Sequence, residues 1–232
     1  MKRFGGAALA LACLAATVVS GCVRTSDGVP VRGGDTAQTR PAAPAPTSQP
    51  TESAESAVPG VSPTTREPIP PNALTCSAAN KPAITMTAVV SDPKAPRITV
   101  AIPDGWTPSL GTGDVGARLD GPEGMRATVT IAATPLDAAT AFTQYADRVM
   151  AASPVSSVSV LPAEFCGYSS QKLMGAWSDN PEHSVEFADR IAHIWTNSKN
   201  YLVAVHVQAP ADAVGFDAAS SELTDDFTVD IP

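Results

Sequence analysis

Residues 201–208 read YLVAVHVQ, and the alternation inside this short stretch decides the fold. Successive side chains of a strand point to opposite faces, so Tyr201, Val203, Val205 and Val207 share one side and Leu202, Ala204, His206 and Gln208 the other. One face is wholly apolar and the other is mixed. Working back along the chain, strand-like runs cover His183 to Thr196, Glu164 to Trp177 and Ser156 to Leu161. They are separated by Asp179-Asn180-Pro181 and by Asn197-Ser198-Lys199-Asn200. Turns this short and polar between long strands predict antiparallel hairpins.

Further back, Thr134-Pro135-Leu136-Asp137 offers an N-cap, a proline at the first helical position and an acid at the third. Phe142, Tyr145, Ala146, Val149 and Met150 then follow at i, i+3, i+4, i+7 and i+8, the apolar stripe of an amphipathic helix that lies on a sheet. Before it come runs of strand character from Ile84 to Val90, Arg97 to Ile102, Val115 to Asp120 and Met125 to Ala133. Phe216, Ala219, Leu223 and Phe227 keep helical spacing in a last helix. Long hairpins with helices segregated from them predict an α+β domain, an antiparallel β-sheet flanked by helices. It spans residues 72–232, long enough for a real core.

The motif Ile102-Pro103-Asp104-Gly105-Trp106 closing a strand, the central helix, the long hairpins and the terminal helix with Phe216 and Phe227 resemble the LpqN-type lipoproteins of mycobacteria. The resemblance covers residues 84–232 and implies a PsbP-like fold and an envelope protein without an assigned catalytic residue. One departure stands out. Asn72 to Lys81 holds no aromatic residue and carries Cys76, where the family usually has an aromatic-containing segment before the first strand.

No catalytic spacing emerges from the residues themselves. Gly111-Thr112-Gly113-Asp114-Val115-Gly116 fits G-x-G-x-x-G, but a dinucleotide site needs that motif between a strand and a helix, and here it leads into strand-like Ala117-Arg118-Leu119. It reads as a glycine loop beside Trp106. No G-x-S-x-G elbow occurs, and Ser169-Ser170 sits within a strand pattern. His193 alternates with Ile191 and Trp195 and reads as a core histidine. Asp179, Glu182 and His183 crowd one turn without the placement of a metal site. Asp104, Asp114 and Asp120 fall where turns favour Asp regardless of function. Glu222, Asp225, Asp226 and Asp230 read as the wet face of the last helix. Trp106, Trp177, Trp195 and His206 remain as a candidate ligand-binding set, since a cleft between sheet and helices walled by aromatic side chains is a common ligand site.

The N-terminus gives a firmer reading. MKRFGGAALALACLAATVVSGC places Lys2 and Arg3 before an apolar stretch and small residues before Cys22, the order of a secretory signal peptide over residues 1–21. Val19-Ser20-Gly21-Cys22 resembles a bacterial lipobox, which implies a diacylglyceryl thioether on Cys22 and palmitate-type acylation of the new N-terminus. Two or three acyl chains anchor stably at about 0.8 kcal/mol per buried CH₂. Of the four cysteines, Cys13 leaves with the signal and Cys22 goes to lipid. Cys76 and Cys166 remain, and two thiols exported to an oxidising compartment pair as a disulfide.

Between Cys22 and Pro71 the chain holds ten prolines, no aromatic residue, no Leu, Met or Phe, and Ile69 as its sole isoleucine. Such a segment buries too little apolar surface to offset the entropy of ordering, so residues 22–71 read as a disordered Pro/Ser/Thr-rich linker. Loss of the signal leaves 13 basic residues against 23 acidic ones, a net charge of −10. That balance excludes nucleic acid as a partner by general electrostatics. The composite expectation is a lipid-anchored, extracytoplasmic accessory or binding protein of the cell envelope, not an enzyme, with no cofactor and no metal. Its partners would be the membrane, through the lipid anchor, and an apolar or glycolipid envelope ligand or an envelope protein. An envelope hydrolase and a surface or adhesive lipoprotein are the alternatives.

Overall fold

The computed structural model describes residues 58–232 apart from 80, 81, 83, 181, 182 and 226, and leaves the side chain of His183 undescribed. The signal over residues 1–21, Cys22 and the linker through residue 57 lie outside the described residues, as do Glu182 and Asp226. The first strands are β1 (Ala73–Cys76), β2 (Thr85–Ala88), β3 (Arg97–Ala101), β4 (Thr107–Leu110), β5 (Val115–Asp120) and β6 (Arg126–Thr134). Helix α1 (Ala138–Met150) leads to β7 (Val155–Pro162), β8 (Ser169–Asn180), β9 (His183–Trp195) and β10 (Asn200–Pro210), then to helix α2 (Phe216–Thr224) and β11 (Thr228–Ile231).

Seven strands form one sheet in the order β4-β5-β6-β10-β9-β8-β7, and four form a second in the order β1-β11-β3-β2. Every pairing between named strands is antiparallel. The expected α+β architecture is the observed one. Helix α1 packs on β7, β8 and β9, and α2 on β10, β9 and β3.

The alternation in YLVAVHVQ places the two cores. Tyr201, Val203, Val205 and Val207 are buried with Ile98, Leu119, Ile131, Phe227 and Ile231, against the small sheet and α2. Leu202 and Ala204 pack on the opposite side with Phe142 of α1 and with Leu173, Phe187 and Ile191. Burying a side chain such as Phe142 contributes roughly 1.5 to 3 kcal/mol, so each face of β10 holds a layer in place. Cys76 at the end of β1 is bonded to Cys166 in the β7–β8 connection, with Cα atoms 5.5 Å apart. This is the disulfide expected from the cysteine count, and it ties the small sheet to the large one.

Local chemistry shifts several boundaries. The cap of α1 is Asp137, not Thr134: its Oδ1 accepts from Thr140 N at 2.9 Å, while Thr134 Oγ1 accepts from Leu136 N in the turn before the helix. Strand β8 starts at Ser169 instead of Glu164, because Cys166 (φ 49°) and Gly167 (φ 80°) take left-handed conformations in a turn closed by Tyr168 N donating to Phe165 O. It runs on to Asn180, so Trp177 lies within the strand and not at its end. Helix α2 stops at Thr224, which leaves Phe227 in the connection to β11 and puts Asp230 on that strand, not on a wet helical face. Strands β1, β4 and β11 have four residues each, too few to show a period in sequence.

Residues 58–71 lie against the domain. Ser170 N donates to Gly60 O at 2.8 Å, Gln171 Nε2 to Pro59 O at 2.7 Å, and Ser62 N to Ser169 Oγ at 3.0 Å. At the far end Asn197 bonds both backbone groups of Ile69, each at 2.8 Å. Composition hides this strap, because its anchors are backbone groups docked where β7 ends and leaves the start of β8 uncovered. Gly60 (φ 72°) is required there: a Cβ would stand 2.0 Å from Ser170 O.

Candidate functional site

The large sheet buries Asp189 on the face beneath α1 and Arg190 on the opposite face. Asp189 shares the face of Phe187 and Ile191 on β9, and its side chain has no exposed surface. An isolated buried carboxylate is costly, so partners must converge on it. Tyr145 from α1 donates its hydroxyl to Asp189 Oδ2 at 3.1 Å. His206, the residue directly opposite on β10, bonds Asp189 Oδ1 through Nδ1 at 2.5 Å. Its Nε2 lies 3.0 Å from Gln208 Oε1, two residues along the same face. Both partner atoms are oxygens, an arrangement that favours the doubly protonated ring.

Electrostatics agrees with that geometry. Burial pulls the His206 imidazole down, but the hydrogen bond and charge of Asp189, with the bond to Gln208, outweigh it and hold the pKa above the ordinary value. The Tyr145 hydroxyl is pushed well above its usual range, first by burial and then by the Asp189 charge and hydrogen bond. Trp177 of β8 stacks on His206 with ring centroids 5.7 Å apart and an 11° tilt, and on Phe187 at 4.6 Å. A flat indole over an imidazolium is a favourable cation–π arrangement.

The hydrogen bonds of this cluster run among its own members. A histidine that serves as general base for a nucleophile needs a ring nitrogen turned toward that nucleophile. His206 has Asp189 at one nitrogen and Gln208 at the other. His193 bonds the Leu136 carbonyl through Nε2 at 3.0 Å, and burial lowers its pKa. Ser170 donates to Ile191 O at 2.7 Å, and Ser169 is held by Ser62 of the strap. No group of three or more His, Cys, Asp or Glu that could hold a metal occurs among the described residues.

The candidate ligand-binding set divides into three places. Trp177 and His206 meet beneath α1. Trp106 is 7 % exposed in the opposite core, its indole lying over Gly121, where a Cβ would stand 2.5 Å away. Trp195 ends β9 and lines a cleft of about 360 Å³ between the strap and the Cys166–Tyr168 turn. Trp106, the 111–116 loop and His206 thus share no pocket. Residues 111–114 make the β4–β5 turn, and Gly116 sits at a register shift in β5, where a Cβ would meet Val89 N at 3.0 Å. The glycines serve a bulge packed on β2, and no helix follows to face a phosphate.

Sequence reading missed Asp189, Tyr145 and Gln208 as a unit. The available signal was a carboxylate at the parity of Phe187 and Ile191, on a face that had to be buried. A second cluster was also missed: Asp92 accepts from Lys94 N at 3.0 Å and from Lys199 Nζ and Tyr201 OH at 2.9 Å each. The bond from Lys199 leads the causes that lower the Asp92 carboxyl to about 2. More than a hundred residues separate Asp92 from Lys199 and Tyr201, so no local pattern links them.

No family model matches the chain, and no curated protein does. Among solved structures it is similar to the crystal structure of LpqN, a protein involved in cell envelope biogenesis of Mycobacterium tuberculosis. That match has a TM-score of 0.49 at 16% identity, covering 64% of this chain and 91% of that one. Among the described residues, no helix is long and apolar enough to cross a membrane.

Proposed function

We propose that this chain is a lipid-anchored, extracytoplasmic accessory protein of the bacterial cell envelope, which binds an apolar or glycolipid ligand or an envelope protein without catalysing a reaction. The observation that carries the non-catalytic reading is the closed chain Tyr145–Asp189–His206–Gln208, in which both imidazole nitrogens are already engaged. Export is supported by the signal over residues 1–21 and by the Cys76–Cys166 cystine, which needs an oxidising compartment to persist. Anchoring rests on Cys22 at the end of a lipobox-like tetrapeptide.

Helix α1 packs on β7, β8 and β9, and on the same face of the sheet Thr128 of β6 lies opposite His206, with Thr128, His206 and Gln208 each half-buried and His206 stacked on Trp177. This is where an apolar ligand with a few polar groups would sit. A photoreactive residue at Thr128 in the full-length chain, activated in cells of the source bacterium, tests it. Capture of a lipid or one reproducible protein is the expected result; no adduct from Thr128 under conditions that yield adducts elsewhere on the domain sinks the reading. The hydrolase alternative is tested on the same protein. Ester or glycoside turnover abolished by His206→Asn would replace binding with catalysis.

A further inference from the structure

A sheet edge is a row of unpaired backbone groups, and proteins blunt such edges with charge, proline, bulges or shortness. The two sheets here have four edges. Strands β1, β2 and β4 have four residues each, and β4 also carries Pro108. Strand β7 is different: it is eight residues long, VSSVSVLP, with proline only at its last position. It pairs in unbroken register with β8 from Val155 to Pro162, and no bulge twists its outer side away. Charge is absent as well, since every residue from Val149 to Ala163 is uncharged in a chain with an excess of eight acidic residues.

We infer that β7 is a docking edge for a second copy of this chain, joined strand to strand across a two-fold axis so that the two seven-stranded sheets become continuous. Net negative charge makes most of the surface repel another copy, and the 149–163 stretch is where two copies are electrostatically compatible. The side chains are self-complementary too. An antiparallel pair that keeps each face of the sheet continuous matches residues whose numbers sum to an even value, because opposite residues lie on the same face. Pro162 lacks an N–H and is left outside the pairing, so the longest such register centres on Val158. Ser157 then faces Ser159, Ser156 faces Val160, and Val155 faces Leu161. Val155 and Leu161 are 66 % and 44 % exposed, and they lie on the face of β7 away from α1. In this register each covers the other twice, once on either side of the axis.

The interface is small and centred on one strand pair, so association is weak, with a dissociation constant on the order of 10 to 100 µM. The test uses the exported full chain with Cys22→Ser, which takes acyl chains out of the measurement and leaves the ligand proposal untouched. Sedimentation velocity across that concentration range should show a reversible dimer. Ser157→Lys/Ser159→Lys, two exposed positions that oppose each other across the axis, should be monomeric throughout with an unchanged melting temperature. Mixing it with Ser157→Glu/Ser159→Glu should restore a heterodimer. Val158→Cys should cross-link to its own copy under oxidising conditions, whereas Val155→Cys should not. A wild-type chain monomeric over the whole range overturns the inference, as does a dimer indifferent to the lysine pair. Cross-linking through Val155→Cys in place of Val158→Cys overturns the register.

Discussion

The two faces of strand β10 are built on different principles. On one, Tyr201, Val203, Val205 and Val207 meet a second sheet and α2 in a largely apolar layer that also takes in Arg190, opposite Val205 and over the Phe165 ring, and that is stapled at its margin by Cys76–Cys166. On the other, Leu202 and Ala204 meet α1, and the same layer continues into the buried ion pair of Asp189 and His206. Apolar packing is non-directional and tolerates volume-conserving change. A buried carboxylate tolerates little, because each of its partners is fixed in place. The first face gives the domain its stability, and the second fixes where α1 sits through the bond from Tyr145 to Asp189.

Breaking the first face at its staple has the largest expected effect. Cys76→Ser/Cys166→Ser opens a loop with a sequence separation of 90. The chain-entropy model assigns such a loop roughly 4 to 5 kcal/mol. Chemical denaturation of this variant should show that loss, while Trp177 fluorescence in the native state, read in a Trp106→Phe/Trp195→Phe background, stays unchanged because the stack under α1 is formed by residues other than those around the cystine. A native-state change at Trp177 would mean that the two faces are not independent.

Breaking the second face comes next. His206→Ala leaves the Asp189 carboxylate buried with Tyr145 as its remaining described side-chain partner, at a cost of about 3 kcal/mol. The double variant Asp189→Asn/His206→Ala should recover part of it, since the charge goes as well; a double variant worse than the single one would show that the pair is not what holds α1. The same pair sets a pH dependence. His206 has a native pKa above its unfolded value, so the stability it contributes is complete below about pH 6.5 and is lost as pH rises through the raised native value. His193, with its lowered pKa, slopes the other way, and Asp92 acts only as pH falls from its ordinary value of 3.8 toward about 2. The readout is therefore the difference between wild type and His206→Ala from pH 6 to pH 9. It should shrink as pH rises, and a constant difference would contradict the charged pair.

The two faces also differ in how far the sequence discloses them. Apolar alternation in β10 and the 3.6-residue stripe of α1 are periodic signals, and both elements lie where the periodicity puts them. The polar cluster has no period. Asp189, His206 and Tyr145 come from three elements, and they meet only once the register of β9 on β10 is set and α1 has docked. The tryptophans show the same limit: aromatic identity marked Trp106, Trp177 and Trp195 alike, and only topology separates them. Strands β1, β4 and β11 escape for a plainer reason, since two alternations do not make a pattern.

The strap belongs to neither face, and it carries the smallest predicted effect. Composition counts side chains, and residues 58–71 offer few worth burying. What fixes them is a set of backbone bonds, including the two made by Asn197, a residue whose left-handed conformation (φ 66°) asparagine tolerates well. Asn197→Asp keeps the acceptor for Ile69 N and loses the donor to Ile69 O, a change of about 1 kcal/mol at a solvent-exposed site. Global melting should scarcely move, because neither core is touched. Local opening should rise by roughly fivefold, the factor that 1 kcal/mol represents. Arg66 lies exposed between the two anchor points and is followed by Glu67, so trypsin can report that opening directly. Cleavage after Arg66 should accelerate in Asn197→Asp and in no variant of the two cores that leaves the domain folded. Equal cleavage in wild type and variant would place the hold on the strap at Gly60 and Ser62 alone, with the stretch from Pro63 to Ile69 a loop between Ser62 and β1.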